Sequence, residues 1–383
     1  MDQFSMPTSL LCGADALSAL GDHAVGRVMI LTDPFLAKSP LMSRVREELT
    51  GRPTLVFDRV QPDPDVAAVA SALSAFMEFS PDVLVAVGGG SPMDTAKAVR
   101  KLAAEQGLPL AGGLIAVPTT AGSGSEVTSF AVVTDSGKNT KLPMNSPDMV
   151  PELAILDPLA VVSCPQSLTA DSGMDALSHA LEAYVARGHN DFSDALAIGA
   201  MKLIFDHLLT THRHGDDVVA RHHMQNAATM AAMAFENSGL GIVHGLSHAI
   251  GGTFAVPHGR LNAILMPAVV RFNAGVSDSP GGCDFRGGAM TPTARRYADL
   301  ARAIGVQATT ERGRVTALTA VIIRLREALG MPDSMLDAGV KAHEFEAVGE
   351  HLASRALADF CTGGNPVAPG IAEMRALLAQ VTR

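Results

Sequence analysis

The chain has 383 residues, 47% hydrophobic and 18% charged, with a formal net charge of −10 at pH 7. That length exceeds one ordinary hydrophobic core and implies two domains, while the apolar content excludes a disordered chain. The acidic balance, with no long basic run, excludes a nucleic-acid binder that must neutralise a phosphate backbone. Cys12, Cys164, Cys283 and Cys361 form no CxxC pair, so reduced cytoplasmic thiols are expected rather than a zinc ribbon or disulfide framework. "MDQFSMPTSLL" lacks the basic run and apolar core of a secretory signal, which also points to the cytoplasm. Residues 237–257 carry no charge at neutral His, but their glycines and two histidines would be costly in lipid, so no membrane span is expected.

In chain order, "RVMIL" (27–31), "TLVF" (54–57), "DVLVAV" (82–87) and "LIAV" (114–117) read as buried strands. Each ends in a polar or glycine-rich turn, and they recur about every 25–30 residues, the span of a βα unit. This predicts a Rossmann-like parallel sheet covered by helices on both faces. "SFAVVTD" and "NTKLPMN" flank Ser136–Gly137 as a hairpin, and "LAILDP" is the last strand of an α/β domain spanning residues 1–162. From about Pro165 the pattern turns helical, with Ala-, Leu- and Met-rich runs over 191–209 and 220–236, so residues 163–383 are expected to form an all-α domain. "SDSPGGCDFRGGAMTPT" (277–293) reads as a surface loop interrupting it.

"VLVAVGGGSPMDTAKAV" sets Gly88, Gly89, Gly90 and Ser91 between a strand and a helix. Glycines there allow close backbone approach to a pyrophosphate, and the helix N-terminus supplies partial positive charge. The turn is neither a Walker A motif nor GxGxxG, and a plain tight turn would look the same. A second turn, "VPTTAGSGSEVTS", follows the next strand and opens at the same C-terminal sheet edge, where α/β proteins bind ligands. Two such loops together predict a dinucleotide site. Asp33 and Asp58, each after a strand, both suit an acceptor for the adenosine ribose, and either could equally be a turn or cap aspartate.

"SGMDALSHALEAY" places Asp175 and His179 at i and i+4 on one helical face. "GIVHGLSHAIGGTFAVPHG" repeats that spacing at His244 and His248, with His258 ten residues further on. One carboxylate and several imidazoles suit a borderline divalent cation such as Fe2+ or Zn2+. A single histidine on an apolar face is usually a hydrogen-bonded core residue, but three in an uncharged segment would each need a separate buried partner. His212, His214, His222 and His223 lie among charges and read as a solvated helix end. Asp171, one turn before Asp175, could face the site or cap the helix.

These motifs, in order from "GRVMILTDPFLAKSPL" through "GGGSPMDTAKA", "PTTAGSGSEVT", "GMDALSHALEAY" and "HGLSHAIGGTFAVPHG" to "ADFCTGGNP", resemble the iron-containing (group III) alcohol dehydrogenases, whose fold is dehydroquinate synthase-like. "DPFLAKSPL", "MPTSLLCG" and "VVRFNAGV" look most like the propanol dehydrogenases of propanediol-utilisation systems, implying a place beside a bacterial microcompartment. The resemblance implies an NAD-binding α/β domain and a helical domain, with a metal in the cleft between them. It implies Asp175, His179, His244 and His258 as ligands of Fe2+, with Zn2+ the alternative, and His248 as a non-ligand near the nicotinamide and candidate proton relay. It selects Asp33 over Asp58 for NAD preference. Gly89, Gly90, Ser91 and Asp94 fall in its pyrophosphate motif, Thr119 and Thr120 in its second loop, and Lys141 near the cofactor ribose. Asp171 departs from the family's usual neutral residue, and the 277–293 insertion is unusual. The implied activity is NAD-dependent interconversion of a short-chain primary alcohol, such as propanol or ethanol, and its aldehyde, in a homodimer or larger homo-oligomer. A lactaldehyde, diol or hydroxy-acid dehydrogenase of the same family is the alternative. A dehydroquinate synthase-like lyase would want basic residues for a phosphorylated sugar, and the ligand-bearing segments are poor in Lys and Arg.

Overall fold

The structure, a computed structural model, describes residues 3–137, 140–276 and 288–382. Residues 277–287 of the expected surface loop, Cys283 included, lie outside those described. Eight strands occur among the described residues: β1 (Ser9–Cys12), β2 (Val28–Leu31), β3 (Thr54–Phe57), β4 (Val83–Gly88), β5 (Leu114–Pro118), β6 (Phe130–Asp135), β7 (Thr140–Asn145) and β8 (Leu153–Leu156). Six form one sheet in the order β1-β8-β5-β4-β2-β3, every neighbouring pair parallel. β6 and β7 form the expected antiparallel ribbon.

The central strands are apolar without alternation because both sheet faces are covered. On one face Ile30, Val85, Val87, Val117 and Ile155 pack against Leu41, Met42 and Val45 of the helix Pro40–Glu48. On the other, Met29, Leu31, Leu84 and Ala86 meet Val69 and Phe76 of Val66–Phe79 and Met93 and Val99 of Gly90–Glu105. Leu84 is fully buried, and truncation to Ala there costs about 2–5 kcal/mol. β1, at the sheet edge, has no strand counterpart in the sequence reading. Its residues are exposed or half-buried; β3, at the opposite edge, is half-buried except for Phe57, so "TLVF" is not the fully buried strand expected.

The chain forms two compact units that are not consecutive segments. One comprises Ser5–Thr169 with Arg213–Met233, the other Met1–Phe4, Ala170–His212 and Ala234–Arg383. A single cut after residue 162 therefore misses the return of residues 213–233 to the α/β unit. The reason lies in buried polar pairing from the helix Val218–Ser238. Thr229 Oγ1 donates to Glu126 Oε1 at 2.6 Å, and Gln225 Nε2 donates to the Pro118 carbonyl at 3.3 Å. Arg221 donates to Thr169 Oγ1 at 2.9 Å and to the Cys164 carbonyl at 3.0 Å. His222 and His223, on that helix, are half-buried rather than fully solvated.

The other unit is helical among the described residues, including Gln166–Val185 from Ala170 onward, Asp191–Arg213 up to His212, Ile242–Gly251, His258–Ala274, Pro292–Ala303, Glu311–Ala328, Ala342–Ala358 and Ile371–Thr382. No helix among the described residues is long and apolar enough to cross a membrane.

Candidate metal centre and cofactor cradle

Three helices of the helical unit bring the histidines to one carboxylate. Gln166–Val185 carries Asp175, His179 and Glu182; Ile242–Gly251 carries His244 and His248; His258–Ala274 opens on His258 and carries Asn262. Spacings of four put Asp175 with His179, His244 with His248, and His258 with Asn262 on common faces. Gly259 lets the last helix start against the first: a Cβ at Gly259 would overlap the Asp171 carbonyl and lie 3.2 Å from Asp175 Cβ.

The imidazoles converge on a single oxygen. Asp175 Oδ1 lies 3.8 Å from His179 Nε2, 3.9 Å from His244 Nε2 and 3.6 Å from His258 Nε2. The ligating atoms of Asp175, His244 and His258 lie within 4.8 Å of one another. His179 stacks on His244 with ring centroids 4.7 Å apart.

Neighbouring groups set which nitrogen faces inward. Glu182 accepts from His244 Nδ1 at 2.7 Å and from the N–H groups of Gly241 (2.9 Å) and Val243 (2.6 Å). Ser247 Oγ lies 2.9 Å from His258 Nδ1. With Nδ1 engaged, Nε2 is the nitrogen presented to Asp175. Burial, and then the neighbouring His179 and His258, hold His244 well below the usual histidine range, so its Nε2, 3.3 Å from Asn262 Nδ2, is unprotonated at neutral pH. Burial pushes Asp175 up, but His179, His258, His244 and Asn262 outweigh it and leave the carboxyl below its ordinary value. Burial pushes Glu182 up to about 7, against the pull of its N–H donors.

This donor set fits a divalent cation. Ligand atoms about 2.1 Å from one tetrahedral ion stand about 3.4 Å apart, close to the separations on Asp175. Within the cluster, buried Asn262 Oδ1 has no hydrogen-bond partner, as expected beside a site that an ion rather than a proton network completes.

His248 stands beside this centre, its ring stacked on His258 at 5.3 Å. His248 Nδ1 lies 3.0 Å from Asp359 Oδ2. Burial raises the Asp359 carboxyl, but the His248 bond and charge and the Cys361 N–H more than offset it, leaving the carboxyl low. Asp359 is therefore the acceptor and His248 Nδ1 the donor, which leaves His248 Nε2 to exchange a proton. Asp171 is no N-cap: the helix begins five residues earlier at Gln166. It accepts from Arg260 Nε at 3.2 Å and Nη2 at 3.0 Å, so Arg260 offsets its charge. Burial still raises its carboxyl.

The cradle belongs to the α/β unit. β4 and β5 are in register with Gly88 beside Pro118, and β2 pairs β4 with Leu31 beside Ala86. Asp33, Gly88–Gly90 and Thr119–Thr120 thus share one C-terminal edge, at the point where strand order reverses between β2 and β4. Gly88 has φ +156°, and a Cβ there would overlap the Pro92 ring. A Cβ on Gly89 would stand 3.2 Å from Thr120 Oγ1. No side chain caps the helix Gly90–Glu105, so its first N–H groups remain for an anion. Asp33 Oδ1 accepts from Phe35 N (2.8 Å) and Leu36 N (2.9 Å), a turn that holds the carboxylate at the strand end.

Asp94 does not face this edge openly. It accepts from Ser125 Oγ at 2.9 Å and from Val132 N at 3.0 Å, and fully buried Lys97 donates to Ser125 Oγ at 2.8 Å. Asp94 thereby staples the second loop behind the first. Lys141 pairs with Asp63, whose N–H donates to Ser91 Oγ at 3.3 Å, so Lys141 and Ser91 meet through that aspartate. Sequence reasoning missed Glu182, Asn262 and Asp359. The first two had a signal, at i+3 from His179 and i+4 from His258; Asp359, 111 residues from His248, had none in spacing and only its place in "ADFCTGGNP".

Comparison with known proteins identifies the family. The profile of iron-containing alcohol dehydrogenases matches residues 7–158, and that of the C-terminal part of the Fe-containing alcohol dehydrogenase family matches residues 169–382. The chain is 37% identical to the 1-propanol dehydrogenase PduQ of Salmonella typhimurium, covering 100% of both chains. It is 35% identical to the NAD-dependent methanol dehydrogenase of Bacillus methanolicus, covering 96% of each. Among solved structures, a 1,3-propanediol oxidoreductase superimposes with a TM-score of 0.89 at 32% identity over 100% of both chains. An iron-containing alcohol dehydrogenase from Thermococcus thioreducens gives 0.87 at 31% identity over 99% of both. The chain belongs to the iron-containing alcohol dehydrogenase family.

Proposed function

We propose that the protein interconverts a short-chain primary alcohol and its aldehyde, with NAD as the hydride partner and Fe2+, or Zn2+ in its place, held by Asp175, His179, His244 and His258. The observation that carries this is the convergence of three Nε2 atoms on Asp175 Oδ1 at 3.6–3.9 Å. When bound, the cation supplies Lewis acidity toward the substrate oxygen, and NAD accepts or donates the hydride. The chain's own residues do the rest. Glu182 and Ser247 fix the His244 and His258 rings so that Nε2 faces inward. His248, oriented by Asp359, takes the proton released when the alcohol is oxidised and returns it in the reverse direction. Gly89, Gly90, Ser91, Thr119 and Thr120 hold the pyrophosphate, with Asp94 bracing their loops. Asp33 disfavours a 2′-phosphate by charge, and Lys141, paired with Asp63, is the residue proposed to serve the ribose. Similarity to a 1,3-propanediol oxidoreductase favours diols as a second substrate class.

The proposal places the protein in the cytoplasm, as the scattered cysteines of the sequence imply. The resemblance to the propanediol-utilisation branch extends the proposal to a homo-oligomer working beside a microcompartment. The test is anaerobic metal removal and reconstitution with Fe2+, Zn2+ or Mn2+, followed by assay with NADH against aldehydes and with NAD+ against ethanol, propanol and diols. Activity is expected only after reconstitution, and His258→Ala should lose metal and activity together. Full turnover by a metal-free preparation, or full metal content in His258→Ala, overturns the assignment.

A further inference from the structure

The ring of His248 is shared between two neighbours of different character. It stacks on His258 with centroids 5.3 Å apart and planes 14° apart, and on Phe360 at 6.0 Å and 25°. The expected proton carrier thus links an expected ligand to a phenyl ring that is 47% exposed. The backbone of that phenyl is pinned. Asp359 caps the turn Phe360–Gly364 by accepting from Cys361 N at 2.9 Å, and Thr362 Oγ1 donates to the Ala356 carbonyl at 2.6 Å. Cys361 and Thr362 are buried, so Phe360 is the apolar side chain that this turn leaves facing outward. Asp359 also accepts from His248 Nδ1, so one carboxylate sets the positions of the imidazole and the phenyl together.

We propose that Phe360 selects the substrate by its carbon chain: its exposed ring is the apolar surface on which the tail of a monohydric alcohol, or of its aldehyde, packs beyond the second carbon. The inference rests on the alcohol–aldehyde reading above. For its proton to pass, the reacting oxygen must come within hydrogen-bond reach of His248, directly or through one water. The tail of that molecule therefore starts beside His248. Of the rings that meet His248, namely His244, His258 and Phe360, the last alone is a hydrocarbon. Each methylene taken out of water against it gains up to about fourfold in binding. A second hydroxyl laid on the same ring gives up its hydrogen bonds to water and receives none in return. The ring thus ranks monohydric alcohols ahead of diols of equal length, and it does nothing for ethanol, which has no third carbon.

The test uses full-length protein reconstituted with its metal. kcat/KM is measured for ethanol, 1-propanol, 1-butanol and 1,4-butanediol. Dissociation constants of acetamide and butyramide, unreactive stand-ins for the aldehydes, are read from NADH fluorescence. Phe360→Ala is expected to lower the butanol-to-ethanol ratio of kcat/KM about tenfold, the effect of two methylenes. It is also expected to narrow the preference for 1-butanol over 1,4-butanediol and to weaken butyramide more than acetamide. Phe360→Leu, which restores an apolar surface, is expected to recover most of each ratio. An unchanged butanol-to-ethanol ratio in the Ala variant overturns the proposal, as does a Leu variant no better than Ala. A loss equal for every alcohol also overturns it, being the signature of a ring that only supports His248. The alcohol–aldehyde reading fails separately, if the wild-type protein with its metal oxidises none of these alcohols.

Discussion

Replacing Glu182 by Gln removes one negative charge from behind His244 at nearly constant volume. The carboxylate takes three donors on two oxygens: Gly241 N and His244 Nδ1 on Oε2, Val243 N on Oε1. A carboxamide has one acceptor oxygen. If that oxygen stays with His244 and Gly241, the new NH2 group faces the Val243 N–H, donor against donor. One buried donor left unpaired costs about 1–3 kcal/mol of stability in the metal-free protein. Loss of a carboxylate behind a ligating histidine typically lowers metal affinity 10–100-fold, or about 1.4–2.7 kcal/mol. The pH dependence adds a second signature. With its pKa pushed up to about 7, Glu182 keeps its proton below that pH in the metal-free protein, and a cation on the Nε2 side of His244 favours its loss. Metal affinity is therefore expected to rise as pH increases through about 7, and the Gln variant to lack that part of the slope. Chelator competition at pH 6, 7 and 8, with urea denaturation of the metal-free protein, measures both effects. A Gln variant with wild-type affinity at pH 8 and the wild-type slope would refute the reasoning.

His248→Gln is expected to keep its metal while turnover falls by about 10²–10⁴-fold, with Asp359→Asn falling less; metal analysis beside steady-state rates checks this, and metal loss would move His248 among the ligands. Asp33→Gly should narrow the preference for NAD over NADP, measured as the ratio of kcat/KM values, and an unchanged ratio returns that role to Asp58. Arg260→Met leaves the Asp171 carboxylate buried without its partner. Because Arg260 is partly exposed, the destabilisation is expected at about 1–3 kcal/mol, below that for a fully buried pair. The loss should shrink at pH 5 relative to pH 8, since burial raises the Asp171 carboxyl and protonation removes the unpaired charge; equal losses at both would count against it.

The parts of the molecule legible in the sequence are those written in local period and composition. β2, β4 and β5 announce themselves because burial on both faces demands unbroken apolar runs, and the His pair of Ile242–Gly251 because helical geometry requires a spacing of four. β1 was not read: "SLLC" is a four-residue edge strand whose residues are exposed or half-buried, and its partner β8 is far off in the chain, Ser9 standing beside Leu153. Asp171 was legible as acidic and near the site, but its role depends on Arg260, which is distant in sequence and reaches it only because Gly259 permits the helices to meet. Asp359 is likewise a tertiary fact, invisible to spacing. The boundary of the α/β unit could not be read either, since Val218–Ser238 is one continuous helix whose allegiance changes partway along.

That shared helix bears on how the protein is made. The α/β unit cannot be completed when its last strand leaves the ribosome, because Arg213–Met233 is synthesised about sixty residues after Thr169. At about 5–20 residues per second the delay is about 3–12 s. Until then Glu126, whose carboxyl burial raises, lacks the Thr229 hydroxyl that meets it in the finished fold. A fragment ending near residue 162 would carry that vacancy permanently, and supplying residues 213–233 as a separate peptide is the means to close it.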